Sequence, residues 1–282
     1  FEQLGADEEV YGGKAVKNVA GYDMTKLMIG SMGAVGIICE ITFRITPRPD
    51  AEATMLFPFN GLKEAAGFLK KLLHSKYYPA TLDLLNAKTA VELKATSALK
   101  GRYVAVVALE GIEEAVARLK KDLGQMGRQE GATDAAVLDG DAHREFWIAY
   151  RDLADGLAKT HAQLVSLKAN FSLSKAEEMF GSCEKELQEA GLNGNLFCRA
   201  GNGILHAVLP LGEDLSAKSA ALVAFIGKLT AEAVKNGGNC IVERAPKAIK
   251  EKVSVWGQTR SDAVVVRRLK EKLDPAGIMN PG

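Results

Sequence analysis

The chain is short of several things that would have declared a function. It has four cysteines in 282 residues, Cys39, Cys183, Cys198 and Cys240. No two of them share a C-x-x-C spacing, which argues against an iron–sulfur cluster or zinc knuckle built by this chain. So few thiols suit a reducing compartment, and a cytoplasmic location is expected. Charge of one sign is also missing: 36 Lys and Arg against 35 Asp and Glu leave a formal +1. That balance offers no electrostatic footprint for nucleic acid or for an anionic membrane surface. No long hydrophobic run is present. The longest, Leu27 to Cys39, sits between Lys26 and Glu40, is broken by glycines, and is too short to cross a bilayer, so no transmembrane segment is expected. A G-x-S-x-G nucleophile elbow is absent as well. What remains, 47% hydrophobic and 25% charged residues, is ordinary globular composition for one large domain or two smaller ones.

Glycine is the residue that is concentrated. Gly12, Gly13, Gly21, Gly30, Gly33 and Gly36 crowd the N-terminal segment, and the last three are spaced G-x-x-G-x-x-G. Glycine admits positive φ and lets a flat ligand approach the backbone. The run passes into Ile37 to Ile45, rich in β-branched residues, which predicts a strand. A Rossmann fingerprint needs G-x-G-x-x-G after a strand and before a helix, so both the spacing and the following element differ here. The pattern fits a loop that enters a strand beside a large ligand.

Pro47-Arg48-Pro49 breaks the chain and marks a domain boundary. Beyond it, strand and helix patterns alternate. Ala53–Phe59, Thr81–Leu85, Tyr103–Leu109 and Asn239–Glu243 read as strands, and Gln163–Leu173 as a long one. Leu62 to Leu73 carries one apolar helical stripe, Ile112 to Leu123 another that ends near Gly124, and Gly140 to Leu153 a third. Ser174 is placed to cap a helix over 175–190, with Glu177 completing a capping box. Gly201-Asn202-Gly203 between two apolar runs predicts a tight hairpin. Leu222 to Ala233 and Ser261 to Leu273 predict further helices. The strand–helix–strand pattern occurs about twice, and helices on one face of a mostly antiparallel sheet is the natural packing.

Several ordered stretches carry a resemblance. Lys17-Asn18-Val19-Ala20-Gly21-Tyr22-Asp23 and Gly30-Ser31-Met32-Gly33-Ala34-Val35-Gly36-Ile37-Ile38 lie near the N-terminus. Val242-Glu243-Arg244-Ala245-Pro246 and Leu273-Asp274-Pro275-Ala276-Gly277-Ile278-Met279-Asn280-Pro281-Gly282 lie near the C-terminus. Together they resemble the FAD-linked oxidases of the vanillyl-alcohol-oxidase superfamily, above all the FAD-binding E subunits of bacterial glycolate oxidase. The resemblance implies an α+β protein. Residues 1–49 would be the C-terminal part of a PCMH-type FAD-binding domain. Residues 50–282 would be a ferredoxin-like α+β cap domain with a mostly antiparallel sheet, with 274–282 returning toward the flavin. The upstream P-G-G-T turn that holds the FAD pyrophosphate in this family has no counterpart here. The expectation is therefore that the chain starts within the flavin domain, and that FAD belongs to the complete protein and not to this segment alone.

The resemblance also implies a site. Metal-dependent relatives acting on D-2-hydroxy acids carry G-H-x-G-D-G-N-x-H and E-H-G motifs. On the matching positions this chain has Arg199, His206, Glu243 and Arg244. Two possible ligands, His206 and Glu243, survive, while two positions carry guanidinium groups that cannot deprotonate to act as ligand or base. No metal site is expected. Either Arg199 and Arg244 replace the metal's charge and grip a carboxylate while His206 accepts the hydroxyl proton, or the cluster is an Arg–Glu pair joining two strands. In the flavin segment, Lys14, Lys17 and Asn18 are either phosphate or ribose contacts or a solvated basic turn. Gly21, Tyr22, Asp23, Gly30, Ser31, Gly33, Gly36, Ile37, Ile38 and Asn280 are the other cofactor candidates. The resemblance implies hydride transfer from a 2-hydroxy acid such as glycolate or D-lactate to FAD, with a separate iron–sulfur subunit taking the electrons. The rival expectation is a non-catalytic subunit that stabilises a catalytic FAD-binding paralogue.

Overall fold

Strict alternation of side chains along eight strands decides the architecture. The computed structural model describes residues 23–212, 215–259 and 261–280. The chain divides into two units: Pro49–Gln258, and Phe1–Arg48 together with Thr259–Gly282. The first of these holds one sheet built from β1 (Ala51–Phe59), β2 (Thr81–Asn86), β3 (Tyr103–Gly111), β4 (Ala136–Asp139), β5 (Gln163–Asn170), β6 (Asn195–Arg199), β7 (Ile204–Leu211) and β8 (Asn239–Arg244). Their spatial order is β4-β1-β3-β2-β6-β7-β5-β8, and every pairing is antiparallel. Each half, β4-β1-β3-β2 and its echo β8-β5-β7-β6, is a ferredoxin-like unit. The two halves join edge to edge at β2 and β6, which leaves neither of these edges open to another chain.

Because successive side chains point to opposite faces, one face carries Met55, Phe57, Leu84, Val107, Val165, Leu167, Leu196, Ala207 and Leu209. It is covered by α2 (Leu62–Leu73), α4 (Glu113–Gln129), α7 (Ala176–Glu189) and α8 (Leu215–Lys235). The stripe of α2 buries Ala65, Phe68, Leu69 and Leu72 while Lys70 and Lys71 stay outside. Phe68 packs between Phe57 and Phe59, with ring centroids 4.8 and 5.6 Å away. Burying a side chain of this size contributes about 1.5–3 kcal/mol. The helix expected to stop near Gly124 instead continues to Gln129. Gly127 lets it: a Cβ there would stand 2.6 Å from the Phe57 ring, so only glycine allows α4 to lie so close to β1.

Helices cover the other face too, which corrects the one-faced packing expected from the pattern. α3 (Ala87–Glu92), α5 (Gly140–Arg151) and α6 (Leu153–Thr160) pack there on Leu56, Leu85, Val104, Val106, Phe197 and Val208. The single helix expected over 140–153 is two helices, because α5 ends at Asp152 and α6 restarts from the same residue. The capping box at Ser174 does not form. Leu173–Lys175 is a 3-10 turn, so Lys175 occupies the cap position without a side-chain bond. The Gly201–Gly203 hairpin is formed, with Gly203 at φ +67°.

The second unit is described from Asp23. α1 (Met24–Met28) leads into the glycine turn, and α10 (Ala263–Leu273) precedes the C-terminal tail. The strand expected at Ile37–Ile45 is absent: the segment is irregular, with Ile37 77% and Ile45 88% exposed. β-Branched composition expresses fit to a pleated, half-buried surface, and a strand exists only where a neighbour takes its backbone hydrogen bonds. Lys270 Nζ donates to Ala34 O at 2.7 Å, to Asp274 Oδ2 at 2.5 Å and to Met279 O. Asn280 Nδ2 donates to Met32 O at 2.8 Å. The tail is thus tied to the glycine turn by one ammonium and one amide.

Candidate functional site

The seam between the two halves places polar residues where a sheet normally carries apolar ones. Across it Asp83 pairs with Arg199 and Leu85 with Phe197. Phe197 in turn pairs with His206, and His206 with Lys168. All of them lie on the α3–α5–α6 face by the alternation that sends Leu84, Cys198, Leu205 and Ala207 to the opposite one. The His206 imidazole stacks flat on the Phe197 ring, 4.7 Å between centroids and 9° between planes. Tyr150 from α5 meets Phe197 edge-on at 5.5 Å.

Glu243 reaches the same place by a bulge. Val242 pairs with Leu167 and Arg244 with Ser166, so Glu243 is the extra residue. Its Oε2 accepts from Ser166 Oγ at 3.4 Å and lies 3.8 Å from His206 Nδ1. Burial, then the nearby Arg199 and Lys168 charges, pull the His206 pKa down to about 4. Near neutral pH the ring is uncharged, and its approach to Glu243 is that of a carboxylate to a neutral imidazole, not an ion pair. Arg244 turns to α6, where its Nη2 donates to Asp155 Oδ1 at 3.0 Å. Arg199 is exposed, and its guanidinium has no hydrogen bond or ion pair to another described residue. Of the four expected site residues, His206 and Glu243 touch, Arg199 stands beside His206, and Arg244 is bound to a neighbour of its own. Among the described residues, no group of three or more His, Cys, Asp or Glu side chains is arranged to hold a metal ion.

Two neighbours of Arg199 escaped the sequence reading. Asp83 is only 1% exposed and Tyr150 is buried. Neither the Asp83 carboxyl oxygens nor the Tyr150 hydroxyl has a well-formed hydrogen bond. They lie near enough to influence each other, and burial above all pushes the Asp83 carboxyl up to about 7, against the opposing pull of Tyr150 and Arg199. The available signal was an aspartate inside the leucine-rich strand Thr81–Leu85. Also unforeseen is a network at β1: Trp147 Nε1 donates to Thr54 Oγ1 at 2.8 Å, and that hydroxyl lies 2.9 Å from His143 Nδ1.

In the second unit, Lys14, Lys17, Asn18, Gly21 and Tyr22 lie outside the described residues. Asp23 is used locally: it caps α1 through Lys26 N and pairs with Lys26 Nζ at 2.8 Å. Gly30 and Gly33 take φ of +78° and +70°, and Ser31 N donates to Met28 O. A Cβ added at Gly30, Gly33 or Gly36 would meet no atom of the described residues within 4 Å. The turn therefore presents open backbone next to exposed Ile37 and Ile38, and Asn280 fixes its far side through Met32. Such a ledge fits the edge of a flat cofactor.

The fold and this seam define a two-half ferredoxin-like α+β domain with a polar face, and the second unit carries a glycine turn of its own. Residues 48–282 match the family described as FAD linked oxidases, C-terminal domain, and the chain belongs to that family. It is 26% identical to an uncharacterised FAD-linked oxidoreductase of Mycobacterium tuberculosis over 96% of this chain and 60% of that protein. It is 23% identical to a glycolate oxidase subunit of Bacillus subtilis over 96% of this chain and 59% of the other. A mitochondrial D-lactate dehydrogenase (cytochrome) of Arabidopsis thaliana is 25% identical over 95% and 48%. The chain thus spans about half to three-fifths of the length of these curated relatives. Among solved structures, an alkyldihydroxyacetonephosphate synthase superposes with TM-score 0.55 at 15% identity, covering 95% of this chain and 50% of that one. A p-cresol methylhydroxylase gives 0.54 at 15%, covering 83% and 52%. The expected fold class, the C-terminal part of a PCMH-type flavin domain with a ferredoxin-like α+β cap, is the one found.

Proposed function

We propose that this chain is part of a flavin-dependent dehydrogenase or oxidase of small 2-hydroxy acids, glycolate and D-lactate being the first to try. The observation that carries the reading is Arg199: an exposed guanidinium with no partner among the described residues, beside a neutral imidazole. A planar fork left free in this way suits a carboxylate. When bound, FAD would supply the hydride acceptor. Gly30, Ser31, Gly33, Gly36, Ile37, Ile38 and Asn280 would line its edge, with Lys14, Lys17, Asn18, Gly21 and Tyr22 completing the contacts. Arg199 would bind the substrate carboxylate, and Arg244, fixed by Asp155, would flank it. His206, kept neutral and flat on Phe197, would accept a hydrogen bond from the substrate hydroxyl, with Glu243 holding the far side of the ring. An iron–sulfur subunit would take the electrons onward, and the assembly would be cytoplasmic. The test is turnover of D-lactate and glycolate by the FAD-loaded protein with a dye acceptor. Arg199→Met should raise KM at least tenfold, whereas unchanged kinetics would remove Arg199 from the site.

A second reading has its own support. A histidine whose pKa lies near 4 is a weak general base, and Arg244 is already committed to Asp155. Both suit a subunit that keeps the fold and stabilises a catalytic FAD-binding paralogue. Absence of turnover by the FAD-loaded protein alone, with recovery of activity on adding the paralogue, would select this reading.

A further inference from the structure

The seam holds a carboxyl group that the proposed chemistry does not use. Asp83 faces Arg199 across the β2–β6 pairing, where the two residues are direct register partners. Val106 is the register partner of Asp83 on β3 and offers nothing polar from its side chain. Tyr150 stands over it from α5, and Arg199 lies on β6. The Cys198 thiol belongs to the opposite face, and His206 and Lys168 stand on the far side of Arg199. Asp83 is thus a nearly enclosed carboxyl with no well-formed hydrogen bond among the described residues, the Tyr150 phenol close enough to favour its ionised form, and beside it a guanidinium that has no partner among the described residues. A buried, unpartnered carboxylate is costly, and the nearest available relief is the arginine that the substrate would also use.

We propose that Asp83 and Tyr150 form a proton-operated positioning pair for Arg199. With Asp83 protonated, the guanidinium is free to take a substrate carboxylate; with Asp83 ionised, it is drawn down to the seam and its charge is spent there. This rests on the reading of Arg199 as the carboxylate ligand. Burial holds the Asp83 midpoint at about 7, so the change falls in the physiological range. A bound carboxylate next to Asp83 disfavours the ionised form, so binding takes up a proton on the alkaline side. Affinity should then fall about tenfold per pH unit above the Asp83 midpoint. Tyr150 favours the ionised form, so its removal should move that midpoint upward.

The test uses D-lactate as the probe and calorimetric titration of the FAD-loaded protein between pH 6 and pH 8.5 (an order-of-magnitude window around the midpoint). Wild type should bind more weakly as pH rises and take up a proton on binding. Asp83→Asn should bind with nearly constant affinity, and Tyr150→Phe should keep the slope but shift it to higher pH. Infrared difference spectra, wild type minus Asp83→Asn, read the carboxyl directly without ligand. An unchanged slope in Asp83→Asn overturns the pair, as does a carboxyl already ionised at pH 5. If Asp83 titrates near neutrality but D-lactate binds at no pH, the carboxylate reading of Arg199 falls, and the pair's role falls with it.

Discussion

The two faces of the sheet have been put to different uses by one alternation. On the α2–α4–α7–α8 face nearly every inward position is aliphatic or aromatic, and Phe57, Phe59, Phe68, Phe180 and Phe225 are almost wholly buried. On the α3–α5–α6 face the same strands present Thr54, Asp83, Ser166, Lys168, Arg199, His206 and Glu243 among the apolar residues. The closed face stores stability. The other gives some of it up, most plainly in Asp83, to keep ionisable groups at a seam where both halves contribute.

Substitutions should separate the faces sharply. Phe57→Ala, under α4 and against Phe68, should cost about 3–5 kcal/mol and lower the urea midpoint, with kinetic constants of the surviving folded protein unchanged; a cost below about 1 kcal/mol would break the contrast. Asp83→Asn should do the opposite. The folded midpoint of about 7 lies above the ordinary aspartate value of 3.8, so wild-type stability declines as pH rises from about 4 to about 7 and stays reduced above. The variant should therefore gain on the order of 2–4 kcal/mol at pH 8 and least near pH 4, measured by urea unfolding across pH. His206 has the reverse sign. Its midpoint is depressed from 6.5 to about 4, so its contribution is complete above the unfolded value and is lost as pH falls through 4; His206→Gln should flatten this acid limb. Arg199→Met should leave melting within about 0.5 kcal/mol of wild type, and weaken carboxylate binding by about 1.5–3 kcal/mol. The smallest effect belongs to Arg244→Met. Its pair with Asp155 is exposed on both sides, and its loss should cost about 0–1 kcal/mol; a large loss of D-lactate affinity would instead place Arg244 on the substrate.

Much of the fold was legible locally. The residue pattern marked the five strands 53–59, 81–85, 103–109, 163–173 and 239–243, the fourth of which ends earlier, at Asn170, and the 3.6-residue stripe marked α2 and α8. Gly201-Asn202-Gly203 announced the hairpin that brings His206 level with Phe197. These signals are periods and turn residues, carried by near neighbours in the chain, so the sequence by itself determined them. It did not determine which strand adjoins which. The Asp83–Arg199 pairing joins residues from different halves, and only the closure of β2 on β6 makes Asp83 a neighbour of the candidate site. Arg244 chose Asp155 because α6 lies over β5 and β7, a matter of packing that no spacing encodes. Ile37–Ile45 has the composition of a strand and no partner among the described residues. A strand, a buried charge and a shifted pKa are each a relation between distant segments, and such relations exist only once the tertiary structure has brought the segments together.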